Sequence, residues 1–530
     1  MPARLIAGLT AALAALPMLI AGATFAIQHP LIIFDGDAAV DELALIRSGH
    51  FEQLVGNYSR YGFSHPGPAW FYALDTVYQP LGAQSWAFPV AVLALNALAV
   101  LLIILVAWRT GGPPLAVAAA ISLLIYVGAM GDVAFRGEWP PLAVILPMAL
   151  LLLLAGLGAA TSTPALAWAL VAGSYEAQTH VGTVPTVMAV LVAAVAARLA
   201  MNYVAMRDPE REVRATSRWN LPLTIGGLVL AVVIWIPPLI DEVTGKPGNL
   251  TVLWNFFTSH GPQHHWLEAL SALGHNLDIF ELPQLLGSGY TDMAVRSSTH
   301  VAVVGVFVFL CLGLIGAGLV ARDRFAQAAG VILLAAVAAI TYSIRDVLGP
   351  VYEYLLLWVT MMPVVLALAW LELLLHLRLW RSTVMSRNIQ VAAGLIVLMV
   401  IGSLSAVRTA GFQALPPEPP NVQRAGYLSE QVEAAVDRNP NQPVLLELNS
   451  LEMWPMAAAI GLQLVKHGHP IRFHDEWLFM FGRATRIRGD ERVAIVVVSA
   501  ADAAAYMSAH PTAQLVASTD THAVFLGRIA

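Results

Sequence analysis

Charge is scarce in this sequence and cysteine almost absent. Only 12% of its 530 residues are Asp, Glu, Lys or Arg, against 58% hydrophobic, which excludes an ordinary water-soluble globule. The single cysteine, Cys311, sits in an apolar run, so an intramolecular disulfide, a cysteine-based zinc site and a CxxC redox motif are excluded. The net charge of -6 is spread along the chain and no Lys/Arg run stands out, so nucleic acid is not an expected partner. No glycine-rich phosphate loop opens a helical pattern, which argues against a nucleotide site, and no internal repeat is visible.

What the chain has is apolar length. Mean hydropathy is +0.70, and a hydrocarbon core about 30 Å thick needs roughly 20 apolar residues per helix. Spans are expected at 4–27, 86–108, 113–131, 140–160, 164–183, 184–206, 219–240, 298–321, 325–343, 351–375 and 388–408. Arg4, Arg109, then Arg207, Arg211, Arg214 and Arg218, then Arg322 and Arg324, then Arg378, Arg381 and Arg387 fall on alternate connections. Positive residues mark the cytoplasmic side, so the chain reads as a multi-pass protein of the plasma (inner) membrane with its N-terminus inside. Loops 28–85 and 241–297 and the tail 409–530 are then external. A competing reading makes 1–23 a cleaved leader with a small-residue site at Ala21-Gly22-Ala23, and leaves the remaining topology unchanged.

The expected division is a transmembrane domain, 1–408, and a soluble extracytoplasmic α/β domain, 409–530. The tail opens on Leu415-Pro416-Pro417-Glu418-Pro419-Pro420 and then alternates helical and strand-like patterns. Helices are expected at 426–438 and 454–467, and strands at 444–448, 471–473 and 493–498. Within the spans, Ser174-Tyr175-Glu176-Ala177-Gln178-Thr179-His180 interrupts apolar sequence, either at a protein- or water-facing position in the membrane or as an interfacial turn.

Chemistry concentrates in the first external loop. Asp35, Asp37, Asp41 and Glu42 cluster directly after the first span, and on a helix from Asp37 the acids at 37 and 41 share a face, where unpaired carboxylates repel. A carboxylate at such a cleft can deprotonate an acceptor hydroxyl or ligate a metal, while Asp35 or Asp37 can equally cap the helix. Downstream, Gly56–Tyr72 alternates aromatics with turn residues. Tyr58, Tyr61 and His65 suit a carbohydrate-binding surface, Arg60 and His65 suit a phosphate or sugar hydroxyl, and membrane-interface anchoring by aromatics is the plainer alternative.

Four short elements carry a resemblance to a known family: Gly36-Asp37; His65-Pro66-Gly67-Pro68 with Phe71-Tyr72; Glu138-Trp139-Pro140-Pro141; and Gln178-Thr179-His180. They are similar to elements of the GT-C superfamily of polyprenyl-phosphate-sugar-dependent glycosyltransferases, which includes protein O-mannosyltransferases, lipid A aminoarabinose transferases and mycobacterial arabinofuranosyltransferases. The resemblance implies an all-α membrane domain of about eleven helices, consistent with hydropathy. It also implies transfer with inversion from a lipid-linked donor to a glycan, lipid or protein acceptor on the external face. Asp37 best matches the family's catalytic acid, with Asp35 and Asp41 as rivals, and Trp139 and His180 join the substrate-binding candidates. Decaprenyl-phosphate arabinofuranose is the first donor to test if the producing organism makes arabinan.

A donor phosphate needs external cations, and Arg60, Arg136, Lys246, Arg296 and Arg345 lie on that side of the topology; Arg136 and Arg345 are preferred because of their positions beside spans. Pairing with a carboxylate or contact with a headgroup is the alternative for each. The run His260-Gly261-Pro262-Gln263-His264-His265 has poor spacing for a metal, as have His467-Gly468-His469 and His474-Asp475-Glu476, so no metal site is expected there. No cofactor is required, although the acidic loop can hold Mg²⁺ or Mn²⁺ against a phosphate. Two other classes compete: a transporter or flippase of a lipid-linked saccharide, and a non-catalytic membrane scaffold.

Overall fold

The computed structural model describes residues 3–131, 135–207, 220–285, 293, 295–377, 387–410, 419–436 and 442–529. Asp132, Arg211, Arg214, Arg218, Arg378, Arg381 and residues 415–418 and 437–438 of the expected tail elements lie outside the described residues. By internal contacts the chain forms two compact units, one of Met1–Ala23 with Val92–Phe412 and one of Thr24–Ala91 with Gln413–Ala530. The acidic first loop therefore groups with the tail.

The first unit is helical. Each expected span is helical over most of its length, and among the described residues eight helices are long and apolar enough to cross a bilayer. One of the eight, Ala87–Met130, holds two expected spans in 44 residues. The expected loop between them is instead a sharp break at Gly112 (φ 72°, ψ -163°). Gly111 and Gly112 permit that geometry, and Pro113 and Pro114 restart a helix without needing the missing N–H bonds. The helix Thr163–Thr179 has 17 residues, and the apolar part of Arg387–Ala410 is confined to Gly394–Ser405, so length alone leaves these two short of a span. The span expected at 351–375 begins later, at Leu357.

Burial sorts the helices by neighbour. Pro140–Ala160 is 78% buried over its apolar window, whereas Leu221–Thr244 is 22% buried although nearly as apolar. A helix that is apolar all round and still uncovered has lipid as its solvent. Polar caps set several starts: Asp323 accepts from the amides of Phe325 (2.9 Å) and Ala326 (3.1 Å), and Ser162, Asn220 and Ser297 cap Thr163–Thr179, Leu221–Val233 and Ser298–Ala321. The polar run at 174–180 is helical through Thr179 and turned toward protein. Gln178 donates to the Ile234 carbonyl (2.9 Å), and the Trp235 indole donates to Ser174 (3.0 Å), where the facing helix itself breaks.

The second unit contains a five-stranded sheet. Its strands are β1 (Val444–Leu448), β2 (Ile471–Arg472), β3 (Val493–Ser499), β4 (Gln514–Ser518) and β5 (His522–Arg528), in the order β2-β1-β3-β5-β4. β1 runs parallel to β2 and β3, and β5 runs antiparallel to β3 and β4. The helix expected at 426–438 is Pro420–Ala435, started by its proline, and the helix expected at 454–467 is Trp454–Lys466. Trp454–Lys466 packs against Pro420–Ala435 and against Gly36–Gly49, the helix that carries the first-loop acids.

Candidate active site

The acid helix Gly36–Gly49 begins where Gly36 takes a positive φ of 51°, with the Trp454 ring 3.5 Å from where a Cβ would stand. Asp35 occupies the N-cap position but its side chain makes no capping bond, and Asp37 lies in the first turn. The expectation that one of them serves as the side-chain cap is therefore corrected: the first turn is entered through glycine, and both carboxylates are turned to other neighbours.

Those neighbours differ for each acid. Tyr58 donates its hydroxyl to Asp37 across a tight hairpin, in which His65 N–H donates to the Asn57 carbonyl (2.7 Å), Ser59 N–H to that of Phe63 (2.7 Å), and Gly62 turns the chain at φ 81°. Trp454 and Phe479 meet the Tyr58 ring edge-on at 5.9 and 6.1 Å, so the phenol is held by aromatic packing. Burial raises the Asp37 carboxyl above the usual range, and the Tyr58 bond opposes that rise. Asp35 is also raised, first by burial and further by the charge of Asp37, against a backbone hydrogen bond that lowers it.

Asp41 is fully buried, and its charge helps hold the Arg47 cation, which burial pushes down to about 10 against the opposing pull of Glu52 and Asp41. Glu42, also fully buried, receives Lys466 Nζ (2.6 Å), the Tyr78 hydroxyl (2.7 Å) and the Ser85 hydroxyl (2.9 Å). The four acids thus do not form one open cluster. Two are locked into the interior, and Asp35 and Asp37 remain half-buried at the helix start. Beside Lys466 lies a cavity of about 650 Å³ that includes Trp86, Glu430, Glu433 and Gln463, a wall of carboxylates, amide and indole suited to a polyhydroxylated ligand. Arg60 lies over the exposed Tyr61 ring at 4.9 Å and bonds its hydroxyl.

The remaining candidates belong to the helical unit. Trp139 is extended ahead of Pro140-Pro141, and its ring lies 4.9 Å from that of Tyr354, which stacks on Tyr352 at 5.8 Å. Arg136 is half-buried in the preceding turn. Arg345 ends its helix with the guanidinium 3.9 Å over the Trp266 ring and donates to the His264 carbonyl at 3.4 Å. His180 is buried at the end of Thr163–Thr179, its amide on the Glu176 carbonyl at 3.0 Å. The loop histidines have local partners: His260 with the Phe256 carbonyl, His264 with that of Gly349, and His265 as the cap of Trp266–Leu277.

No family model matches the sequence, and no curated protein matches it. Among solved structures, the chain aligns with ArnT from Cupriavidus metallidurans bound to undecaprenyl phosphate, at a TM-score of 0.55 and 16% identity over 96% of this chain and 97% of that one. The apo form of the same protein aligns at 0.53 and 14%, with the same coverage. The fold is that of ArnT. It is a largely helical architecture with a small α/β domain, and the likeness extends through nearly the whole of both chains.

Within this ArnT fold, three features escaped sequence reasoning. The buried Lys466–Glu42 pair joins residues from opposite ends of the chain, and no local pattern announces it. Glu353, in the connection before the span Leu357–His376, is 3% exposed between Tyr352 and Tyr354, and its Oε2 has no hydrogen-bond partner among the described residues. Burial pushes its carboxyl up to about 7, a group able to hold a proton near neutrality. Its signal was a lone acid between two tyrosines at the mouth of a span. The third is a His275–Glu281–His300 cluster, whose members are dispersed in sequence.

Proposed function

We propose that the protein is an integral membrane glycosyltransferase that takes its sugar from a polyprenyl-phosphate donor. The observation that carries this reading is the whole-length likeness to ArnT, whose crystal structure holds undecaprenyl phosphate. Asp37 serves as the general base. Its carboxylate takes the proton of an acceptor hydroxyl, the acceptor oxygen attacks the anomeric carbon, and the bond from that carbon to the phosphate oxygen breaks. Polyprenyl phosphate leaves and the anomeric centre inverts.

Several features favour Asp37 over its rivals. Asp41 is enclosed beside Arg47, and Asp35 has no side-chain donor comparable to Tyr58 among the described residues. Burial that raises a carboxyl makes it a better proton acceptor when ionised. Arg345, with its planar cation fixed on Trp266, and Arg136 and Arg60 are the ligands for the donor phosphate. Tyr58, Tyr61, His65, Trp139 and His180 contact the sugars. Asp35 and Asp37 would hold Mg²⁺ or Mn²⁺, if used, and the ion would offset the phosphate charge, which a chelator added to the transfer assay tests. The reaction faces the extracytoplasmic side, where the first loop and the tail lie if the N-terminus is cytoplasmic. The acceptor is a cell-envelope glycan, lipid or protein, and arabinofuranose and aminoarabinose head the donors to try.

The test is transfer of radiolabelled sugar from a panel of polyprenyl-phosphate donors to membrane acceptors, comparing wild type with Asp37→Asn at matched expression. The expected result is transfer by wild type and its loss in the variant. Undiminished transfer by the variant would remove Asp37 from the role of base. Absence of transfer from every donor would refute the enzyme reading and leave movement of a lipid-linked saccharide as its replacement.

A further inference from the structure

A close backbone approach and a serine hydroxyl bring His275 and His300 together. Gly274, in the last turns of Trp266–Leu277, lies so close to Ser298–Ala321 that a Cβ there would stand 1.9 Å from the His300 carbonyl oxygen. Ser271 fixes the same approach by donating to the Val295 carbonyl (2.7 Å) and accepting from the Ser297 amide (3.0 Å). The neighbouring imidazoles consequently meet edge to face, with centroids 5.0 Å apart and planes inclined by 69°. Glu281 follows in a turn fixed by its amide on the Asp278 carbonyl (3.1 Å), and its carboxylate reaches both rings.

We propose that His275, Glu281 and His300 form a divalent transition-metal site of the zinc class, with three protein ligands and a fourth position open to water. One donor atom from each residue falls within a 4.8 Å group. Two imidazoles and a carboxylate are a common zinc donor set, and bonds of about 2.0–2.1 Å in a tetrahedron put neighbouring ligand atoms about 3.3–3.4 Å apart. His300 Nε2 and Glu281 Oε1 are 3.3 Å apart. The three side chains are 19–30% exposed, so an ion can enter and a water can complete its shell. The described residues hold a second candidate group, Asp323, Glu372 and His376, but there the Asp323 carboxylate already accepts two amides as a helix cap. The partners of the Glu281 carboxylate are instead the two imidazoles themselves. The ion ties the end of Trp266–Leu277 to the start of Ser298–Ala321 and so closes the connection between them, a structural effect independent of the glycosyltransferase reading.

The test uses the full-length, tag-free protein in detergent, passed through chelator-treated buffer, with ZnCl₂ and CoCl₂ as probes. Wild type should retain one zinc per chain and give the visible absorption of low-coordinate Co²⁺, which ZnCl₂ abolishes. His275→Ala and His300→Ala should each weaken zinc binding by at least roughly tenfold, whereas His260→Ala should not. His300→Cys keeps a ligand atom and should restore Co²⁺ binding with an added thiolate-to-metal band, which separates loss of a ligand from loss of fold. Zinc uptake by wild type no greater than that of the His275→Ala/His300→Ala double variant would overturn the proposal. So would a cobalt spectrum unchanged by either single substitution.

Discussion

The most quantitative consequence of the structure concerns Lys466. Its ammonium is the cation among the donors Lys466, Tyr78 and Ser85 that meet Glu42, whose side chain is wholly buried, while Lys466 itself is 15% exposed. Lys466→Met keeps most of the packing volume and removes the charge, leaving a carboxylate away from water with two hydroxyl donors. Breaking a buried pair in this way costs about 3–5 kcal/mol, and Tyr78 and Ser85 place the value toward the lower end. Glu42→Gln should cost less, about 1.5–3 kcal/mol, because the stranded cation can reach solvent. The double variant buries no charge and should be more stable than Lys466→Met alone. Hydrogen exchange on the intact protein can read this locally, in peptides covering Gly36–Gly49 and Trp454–Lys466. With tenfold per 1.4 kcal/mol, Lys466→Met should speed exchange there by about 10² to a few times 10³. An acceleration below about tenfold, or a double variant exchanging faster than Lys466→Met, would refute the claim that this pair ties the acid helix to the tail.

Four other outcomes follow from single sites. Tyr58→Phe removes the one interaction that lowers the Asp37 carboxyl against its burial, so the acid limb of the kcat/KM profile for sugar transfer should move to higher pH; movement toward lower pH would contradict the assignment. Glu353 is raised in the folded state from 4.5 to about 7, so the stability it contributes is present below the lower value and lost as pH rises through the higher one. Glu353→Gln should therefore raise the melting temperature more at pH 8 than at pH 4, and an equal effect at both would count against a buried, titrating carboxyl. Gly482 holds φ 86° and ψ 150°, with Arg47 Nε 3.2 Å from a would-be Cβ, so Gly482→Ala should cost about 1–3 kcal/mol in denaturant unfolding. Gly274→Ala should lower the melting temperature sharply because its Cβ meets fixed backbone, whereas Gly305→Ala, with nothing within 4 Å, should leave it unchanged or slightly higher.

The fold was legible where a single physical pattern dominates. Apolar runs located the membrane helices because lipid forces every backbone group into a helix, and Val444–Leu448 and Val493–Ser499 stood out because the centre of the sheet is apolar. β4 and β5 went unread. β4 is an edge strand with a largely exposed, mixed face, and β5 begins at His522 and passes through Gly527, so neither shows clean alternation. Gly111-Gly112-Pro113-Pro114 was legible as an interruption, but composition cannot tell a loop from a break inside one continuous helix. In the candidate site, Asp37 and Tyr58 were each visible as residue types in a suggestive loop. Their hydrogen bond depends on a hairpin whose closure is a matter of backbone geometry, and spacing alone does not encode it.

The first-loop acids show why sequence proximity is a poor guide to shared chemistry. On a helix starting at Gly36, Asp37 and Asp41 do fall one turn apart, yet one turn is enough to separate the helix mouth from its buried interior. Asp41 and Glu42 enter that interior only because Arg47 and Lys466 meet them there, since a buried carboxylate persists when a cation or hydrogen-bond donors offset its lost hydration. Their negative charge is thereby directed to holding the helix against its surroundings. At the mouth, Asp37 has a neutral phenol as its partner, which orients the carboxylate without neutralising it. A charge that is fixed in direction, raised in basicity by burial and not cancelled by a cation retains the capacity to take a proton. The same burial that removes two acids from consideration as bases therefore supplies the rigid support for the base proposed here.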